Sequence, residues 1–139
     1  MENPGGMPGR FEALPESEVM ALLRTHQIGR VAWEAAKGPV ILPVAYAWSD
    51  GLIAFRTAAG SALAELATPT DVAFQIDEFD VETATGWSVL MSATTTRVTS
   101  PEEIVSWHDL LPEPWAPGGR DWVIRLTPRS ISGRVVARA

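Results

Sequence analysis

Apolar positions change their spacing along the chain, and each change marks an element. Val19, Leu22, Leu23 and His26 fall at i, i+3, i+4 and i+7, one face of an α-helix. Pro15 can open that helix, Glu16 and Glu18 favour its positive end, and Gly29 follows as a stop signal. From Gly29 onward the period is that of strands. "GRVAWE" (29–34) predicts a strand and "AAKGP" a turn, "VILPVAYAW" (40–48) a second strand, and "SDG" (49–51) a tight hairpin turn before "LIAFRT" (52–57). A short helix over 61–67 stops before Thr68-Pro69. "DVAFQID" (71–77) places Val72, Phe74 and Ile76 on one face.

The polar, acidic stretch Glu78–Thr85 reads as a loop, and "GWSVLMSATTTRV" (86–98) as a long strand rich in β-branched residues. Ser100-Pro101-Glu102-Glu103 is a strong helix start, with Ile104, Trp107 and Leu111 expected inward. "PEPWAPGG" (112–119) reads as a loop. "DWVIRLTP" and "SISGRVVA" (121–137) are expected to close the chain as a hairpin. Residues 1–13, with Pro4, Gly5, Gly6, Pro8 and Gly9, are expected to be a mobile arm, and 14–139 a single domain. Strands adjacent in sequence and joined by tight turns favour an antiparallel barrel or sandwich with peripheral helices over a parallel α/β sheet.

Composition narrows the partners. The 139 residues carry 11 basic and 17 acidic side chains, a formal charge of −6, without a basic block. This argues against electrostatically driven nucleic-acid binding. No apolar run approaches the ~18 residues of a membrane span, and the N-terminal stretch lacks the apolar core of a signal peptide. There is no cysteine, hence no disulfide framework, thiolate metal site or cysteine nucleophile. A cytoplasmic globular protein is the expectation, with no membrane and no nucleic-acid partner.

Few groups suggest chemistry. His26 and His108 lie on different expected helices, with no second ligand at i+3 or i+4, so no metal site is expected. Asp77, Glu78, Asp80 and Glu82 lack the spacing of a calcium loop. Ser88 in "GWSVL" lacks the second glycine of a nucleophile elbow. The stretch "FRTAAGSALAEL" (55–66) is different. Arg56 ends a strand on an apolar-leaning face and needs an acceptor: a phosphate, a carboxylate or a carbonyl. Thr57 and Ser61 offer hydroxyls, Gly60 permits close backbone approach, and a helix start follows. The residues alone leave two readings open, a phosphate seat or a structural Arg paired with an acid such as Glu65 or Asp77.

The ordered pieces "GRVA" (29–32), "PVAY" (43–46), "DGLIAFRT" (50–57), "GSALAEL" (60–66), "VAFQID" (72–77), "GWSVL" (86–90) and "SISGR" (130–134) resemble the pyridoxamine 5′-phosphate oxidase-like family of flavin-binding split barrels. The resemblance spans roughly Leu14 to Val136. It implies a mainly β fold, a six-stranded antiparallel split β-barrel with short helices, assembled as a homodimer. It implies flavin mononucleotide (FMN), or in some branches the deazaflavin F420, at the dimer interface, and a flavin-dependent oxidoreductase acting on a small-molecule substrate. An F420-dependent reductase and a non-enzymatic, ligand-binding dimeric barrel are the alternatives. Carried over by position, Pro43 and Val44 would lie along the flavin ring, Arg56, Thr57 and Ser61 would meet the ribityl-phosphate end, and Gln75 would touch the ring edge. Trp87 and Ser88 would approach from the second subunit. No catalytic side chain and no metal ligand is implied. One departure stands out. Ala62 occupies the position where related members carry a Lys, which removes a phosphate contact of about 1.5–3 kcal/mol. That amounts to on the order of tenfold to a hundredfold in affinity. The residues by which the parent oxidase grips pyridoxamine phosphate are not evident.

Overall fold

A computed structural model describes residues 9–113 and 122–138, and within these the side chains of 12–113 and 122–137. The chain runs β1 (Gly9–Ala13), α1 (Glu16–Thr25), β2 (Ile28–Ala35), β3 (Gly38–Ser49) and β4 (Leu52–Thr57). A 3₁₀ turn (Ala62–Ala67), β5 (Asp71–Asp80), β6 (Thr85–Val98), α2 (Pro101–Leu110) and β7 (Trp122–Arg138) complete it. All strand pairs are antiparallel, in the order β1-β7-β4-β3-β2-β5-β6, and β6 also pairs with β7. The last pairing closes six strands, β2 to β7, into a ring, with β1 added on the edge of β7. This is a split barrel, and the expected six-stranded architecture holds, with a seventh strand outside the ring.

Alternation decides which side chains fill the ring. Val44 and Tyr46 of β3, Ile53 and Phe55 of β4, Phe74 and Ile76 of β5, and Val89 and Met91 of β6 point inward and are buried with Val19 and Leu23 of α1. The helix face read from the sequence is therefore the one that packs, and it is tied down where the Tyr46 hydroxyl donates to the Leu23 carbonyl at 2.8 Å. Burial pushes the Tyr46 phenol well above its ordinary pKa, so it remains a donor. Gly29 is a packing glycine rather than a helix stop. A Cβ there would lie 2.3 Å from the Phe74 ring, and the helix has already ended at Thr25.

A second, smaller cluster lies outside the ring. Ala47, Ala54, Val98 and Val123 are buried with Trp107 of α2 and with Leu111 just past its end. The two alanines leave room for the indole. The expected cap is present: the Ser100 hydroxyl oxygen accepts from the Glu103 N–H.

Three expectations change. The closing hairpin is one continuous strand, because Pro128-Arg129-Ser130 does not reverse the chain. Ala93 pairs with Pro128 and Ser92 with Ser130, so Arg129 is an extra residue absorbed as a bulge. The loop expected over 78–85 is half strand: β5 continues to Asp80, β6 starts at Thr85, and the turn is confined to 81–84. There Asp80 Oδ1 accepts from the Glu82 and Thr83 N–H groups at 2.9 and 3.2 Å. Residues 9–13, included in the expected arm, pair with the far half of β7 (Arg134–Arg138), and 1–8 lie outside the described residues. The loop expected at 112–119 also lies largely outside them. The "SDG" turn is as read, with Asp50 at φ 51° and Gly51 at φ 76°.

Candidate functional site

The outward residues of four ring strands form a shelf. Across the strands, Pro43 of β3 opposes Arg30 of β2, Arg30 opposes Gln75 of β5, and Gln75 opposes Leu90 of β6. One row below, Ser88 of β6 opposes Asp77. With neighbouring strands ~4.8 Å apart, such a row spans ~14 Å, wide enough for a flat tricyclic ring. Ile28, Ile41 and Leu90 are exposed on the same surface at 44%, 60% and 43%.

The structure thus brings Pro43, Gln75 and Ser88 together on one outer face. It turns other expected residues away from it. The Val44 side chain points into the barrel and is buried, so only its backbone faces the shelf. Trp87 also lies on the inner side, packed against the core and edge-on to His26, with ring centres 4.8 Å apart.

The 55–66 stretch stands at the end of β4. Arg56 points outward, on the side occupied by α2, and its Nη2 donates to the backbone carbonyl of His108 at 3.1 Å. Of the acceptors open to it, the carbonyl is the one used. Neither Glu65 nor Asp77 pairs with it; Asp77 lies 3.4 Å from Arg30. Arg56 Nε is buried without a partner. Thr57 is fully buried; its hydroxyl lies 2.6 Å from Ser61 Oγ, which in turn donates to the Ala58 carbonyl at 2.8 Å. Gly60 has φ 84°, and nothing lies within 4 Å of where a Cβ would stand. The loop is internally braced and open on its Gly60 side. A phosphate-bearing flavin fits this donor set in part: a buried guanidinium nitrogen without an acceptor, a braced hydroxyl pair, and a shelf of suitable width.

Sequence reasoning missed the place of two basic side chains beside the shelf. Arg30 is half-exposed between Pro43 and Gln75; period-two alternation in "GRVAWE" was the available signal. His26 ends α1, and its Nδ1 lies 2.8 Å from the Leu22 carbonyl. It also missed the polar lock under α2. Glu103 accepts from Arg125 Nη1 at 2.7 and 2.9 Å and from Trp107 Nε1 at 3.0 Å. Desolvation pushes the Glu103 carboxyl up, but the hydrogen bonds from Arg125 and Trp107 and the Arg125 charge outweigh it and hold the carboxyl below its ordinary value. Among the described residues, no group of three or more His, Asp or Glu side chains is placed to hold a metal ion, and no helix is long and apolar enough to cross a membrane.

A closed antiparallel ring with an outward shelf and a braced loop at its rim defines a split-barrel protein. The chain belongs to the pyridoxamine 5′-phosphate oxidase family, whose model matches residues 15–135. It is 32% identical, over 94% of its length and 95% of the relative's, to an uncharacterized protein of Mycobacterium tuberculosis. Among solved structures it is similar to a FAD-binding protein from Mycobacterium smegmatis, at 26% identity over 89% of this chain and 98% of that one, with a TM-score of 0.72. A conserved Corynebacterium diphtheriae protein of unknown function is similar at 27% identity, 93% and 98% coverage, and a TM-score of 0.72.

Proposed function

We propose that the protein binds a flavin on the outer shelf of a homodimer and acts as a flavin-dependent oxidoreductase on a small molecule. The observation that carries this reading is the Arg56–Ser61 corner: a buried Arg nitrogen without an acceptor, next in the chain to the Thr57–Ser61 hydroxyl pair and the open space at Gly60. The name of the M. smegmatis relative supports a flavin in general. FMN is the form proposed, because the corner offers an Arg and hydroxyls to a terminal phosphate.

In this reading Pro43 and the Val44 backbone underlie the ring and Gln75 meets its edge. Arg56 and Ser61 hold the phosphate, with Thr57 bracing Ser61 from inside the barrel. Trp87 and Ser88 of a second copy would complete the groove, Trp87 only after turning from its present packing on His26. The exposed Ile28, Ile41 and Leu90 would be the apolar surface that two copies bury together. The bound flavin supplies hydride or electron transfer, and the chain orients it and limits water.

Titration of the purified protein with FMN, FAD, riboflavin and F420 tests the reading. FMN should bind more tightly than riboflavin, and Arg56→Ala should remove most of that difference. A protein that takes up none of the four is not a flavoprotein. One that prefers F420 is a deazaflavin reductase. Sedimentation at micromolar concentration tests the shared groove, which a clean monomer of 15.0 kDa would exclude.

A further inference from the structure

α2 ends against β4, and Arg56 makes the contact. A helix leaves its last carbonyls without the following turn that would bond them. Here the Leu111 N–H returns to the Trp107 carbonyl at 2.8 Å. The His108 carbonyl would need an N–H four residues on, but that residue is Pro112, which has none. Arg56 Nη2 supplies the missing donor, at 3.1 Å. A cation at this end of a helix is also favoured by the helix dipole.

The helix itself is seated by other groups. Trp107 and Leu111 are buried with Ala47, Ala54, Val98 and Val123, and Glu103 holds Arg125 at 2.7 Å. The His108 carbonyl is thus a fixed point to which the Arg56 side chain is brought. Among the described residues, no carboxylate pairs with Arg56. One bond to a neutral carbonyl leaves the charge and most of the five donors of the guanidinium unspent.

We infer that the last turn of α2 is the positioning element of the phosphate corner. The His108 carbonyl fixes the guanidinium at Nη2, so its remaining donors meet a dianionic phosphate already oriented. Arg56 is the group that touches the ligand; Leu111, which seats the turn, is a positioning residue. The inference rests on the flavin reading and adds to it a coupling between cofactor phosphate and α2. Coupling is reciprocal: a phosphate held by an Arg56 that α2 positions holds α2 more firmly in turn. Riboflavin, which lacks the phosphate, leaves α2 as it is.

Hydrogen–deuterium exchange over residues 101–111, with the whole protein saturated by FMN or by riboflavin, tests the inference. FMN should slow exchange there about two- to thirtyfold more than riboflavin does, the span of couplings carried through packed side chains. Arg56→Ala should abolish the difference. Leu111→Ala loosens the turn from inside the buried cluster; it should weaken FMN binding by a factor in the same range and leave riboflavin binding unchanged. Equal protection of α2 by the two flavins in the wild type, or equal effects of Leu111→Ala on both, overturns the inference. The flavin reading then still stands if FMN is preferred over riboflavin and Arg56→Ala removes the preference. If FMN binds no better than riboflavin, the phosphate corner itself fails, and the inference with it.

Discussion

The two outer flanks of the barrel are made from the same kind of strand and are finished in opposite ways. On one, Ala47, Ala54, Val98 and Val123 lie under Trp107, and the boundary carries Glu103 with Arg125 at 2.7 Å. On the other, Ile28, Ile41 and Leu90 are exposed among Pro43, Gln75 and Ser88, and the ion pair present, Arg30 with Asp77, is stretched to 3.4 Å. Short polar contacts around a filled apolar patch mark a covered surface, although Arg125 Nε and His108 Nε2 on this flank are buried without partners. Loose contacts around an open apolar patch are what a surface that exchanges partners needs. Arg56 lies at the boundary: it is bonded to α2 through the His108 carbonyl, yet keeps one buried nitrogen unused.

If the covered flank belongs to the fold, its anchor should be costly to remove. Trp107→Ala is expected to destabilise by about 3–5 kcal/mol, the range for deleting a buried aromatic, read as a lowered midpoint in chemical denaturation. A loss under about 1 kcal/mol would mean that α2 is an appendage, and the contrast between the flanks would fail.

Next in size, Glu103→Gln should cost about 1–3 kcal/mol by leaving Arg125 under-satisfied. The sign with pH follows from the lowered carboxyl pKa in the fold. The contribution is fully present above the ordinary value of 4.5 and is lost as pH falls through the lowered one. Wild type and variant should therefore converge in stability in acid, and a difference that persists there would mean that the charge is not the source.

At the boundary, Ala62→Lys places a cation at the start of the 3₁₀ turn, against the local dipole, at a cost of about 0.3–1 kcal/mol. FMN should bind more tightly to this variant and riboflavin should not, by paired titrations. Equal changes for both flavins would mean that residues 55–66 seat no phosphate.

The smallest effect on stability belongs to the open flank. Ile41→Ser, at a side chain 60% exposed, should change the stability of the single chain by no more than about 0.5 kcal/mol. It should nevertheless shift the monomer–dimer balance in sedimentation. An unchanged balance would place the dimer contact elsewhere.

Most of the barrel was legible because alternation is a local signal. Val72, Phe74 and Ile76 read as one face and are one face; Ser100-Pro101 reads as a cap and is one. The continuous β7 was not legible. A Pro next to an Arg and a Ser looks like a turn, and only the partner strand, which shifts register at Ser92/Ala93, shows that the extra residue is accommodated as a bulge. Site residues divide in the same way. Outward or inward placement follows from parity, which separates Pro43, Gln75 and Ser88 from Val44. The acceptor of Arg56 is a backbone carbonyl 52 positions away, with no signature of its own. The long Arg30 contact is likewise a matter of distance between strands.

The ring is closed by its last strand in sequence. β7 pairs with β4 along Trp122–Leu126 and with β6 along nearly its whole length, so it joins the two free edges that all earlier strands leave. During synthesis, β4 and β6 therefore emerge as bare edges, available to any neighbouring chain, until β7 follows them out of the ribosome. Barrel closure is in this sense an event timed by translation: a chain interrupted before Trp122 holds every core side chain of β2 to β6 and still has two open edges.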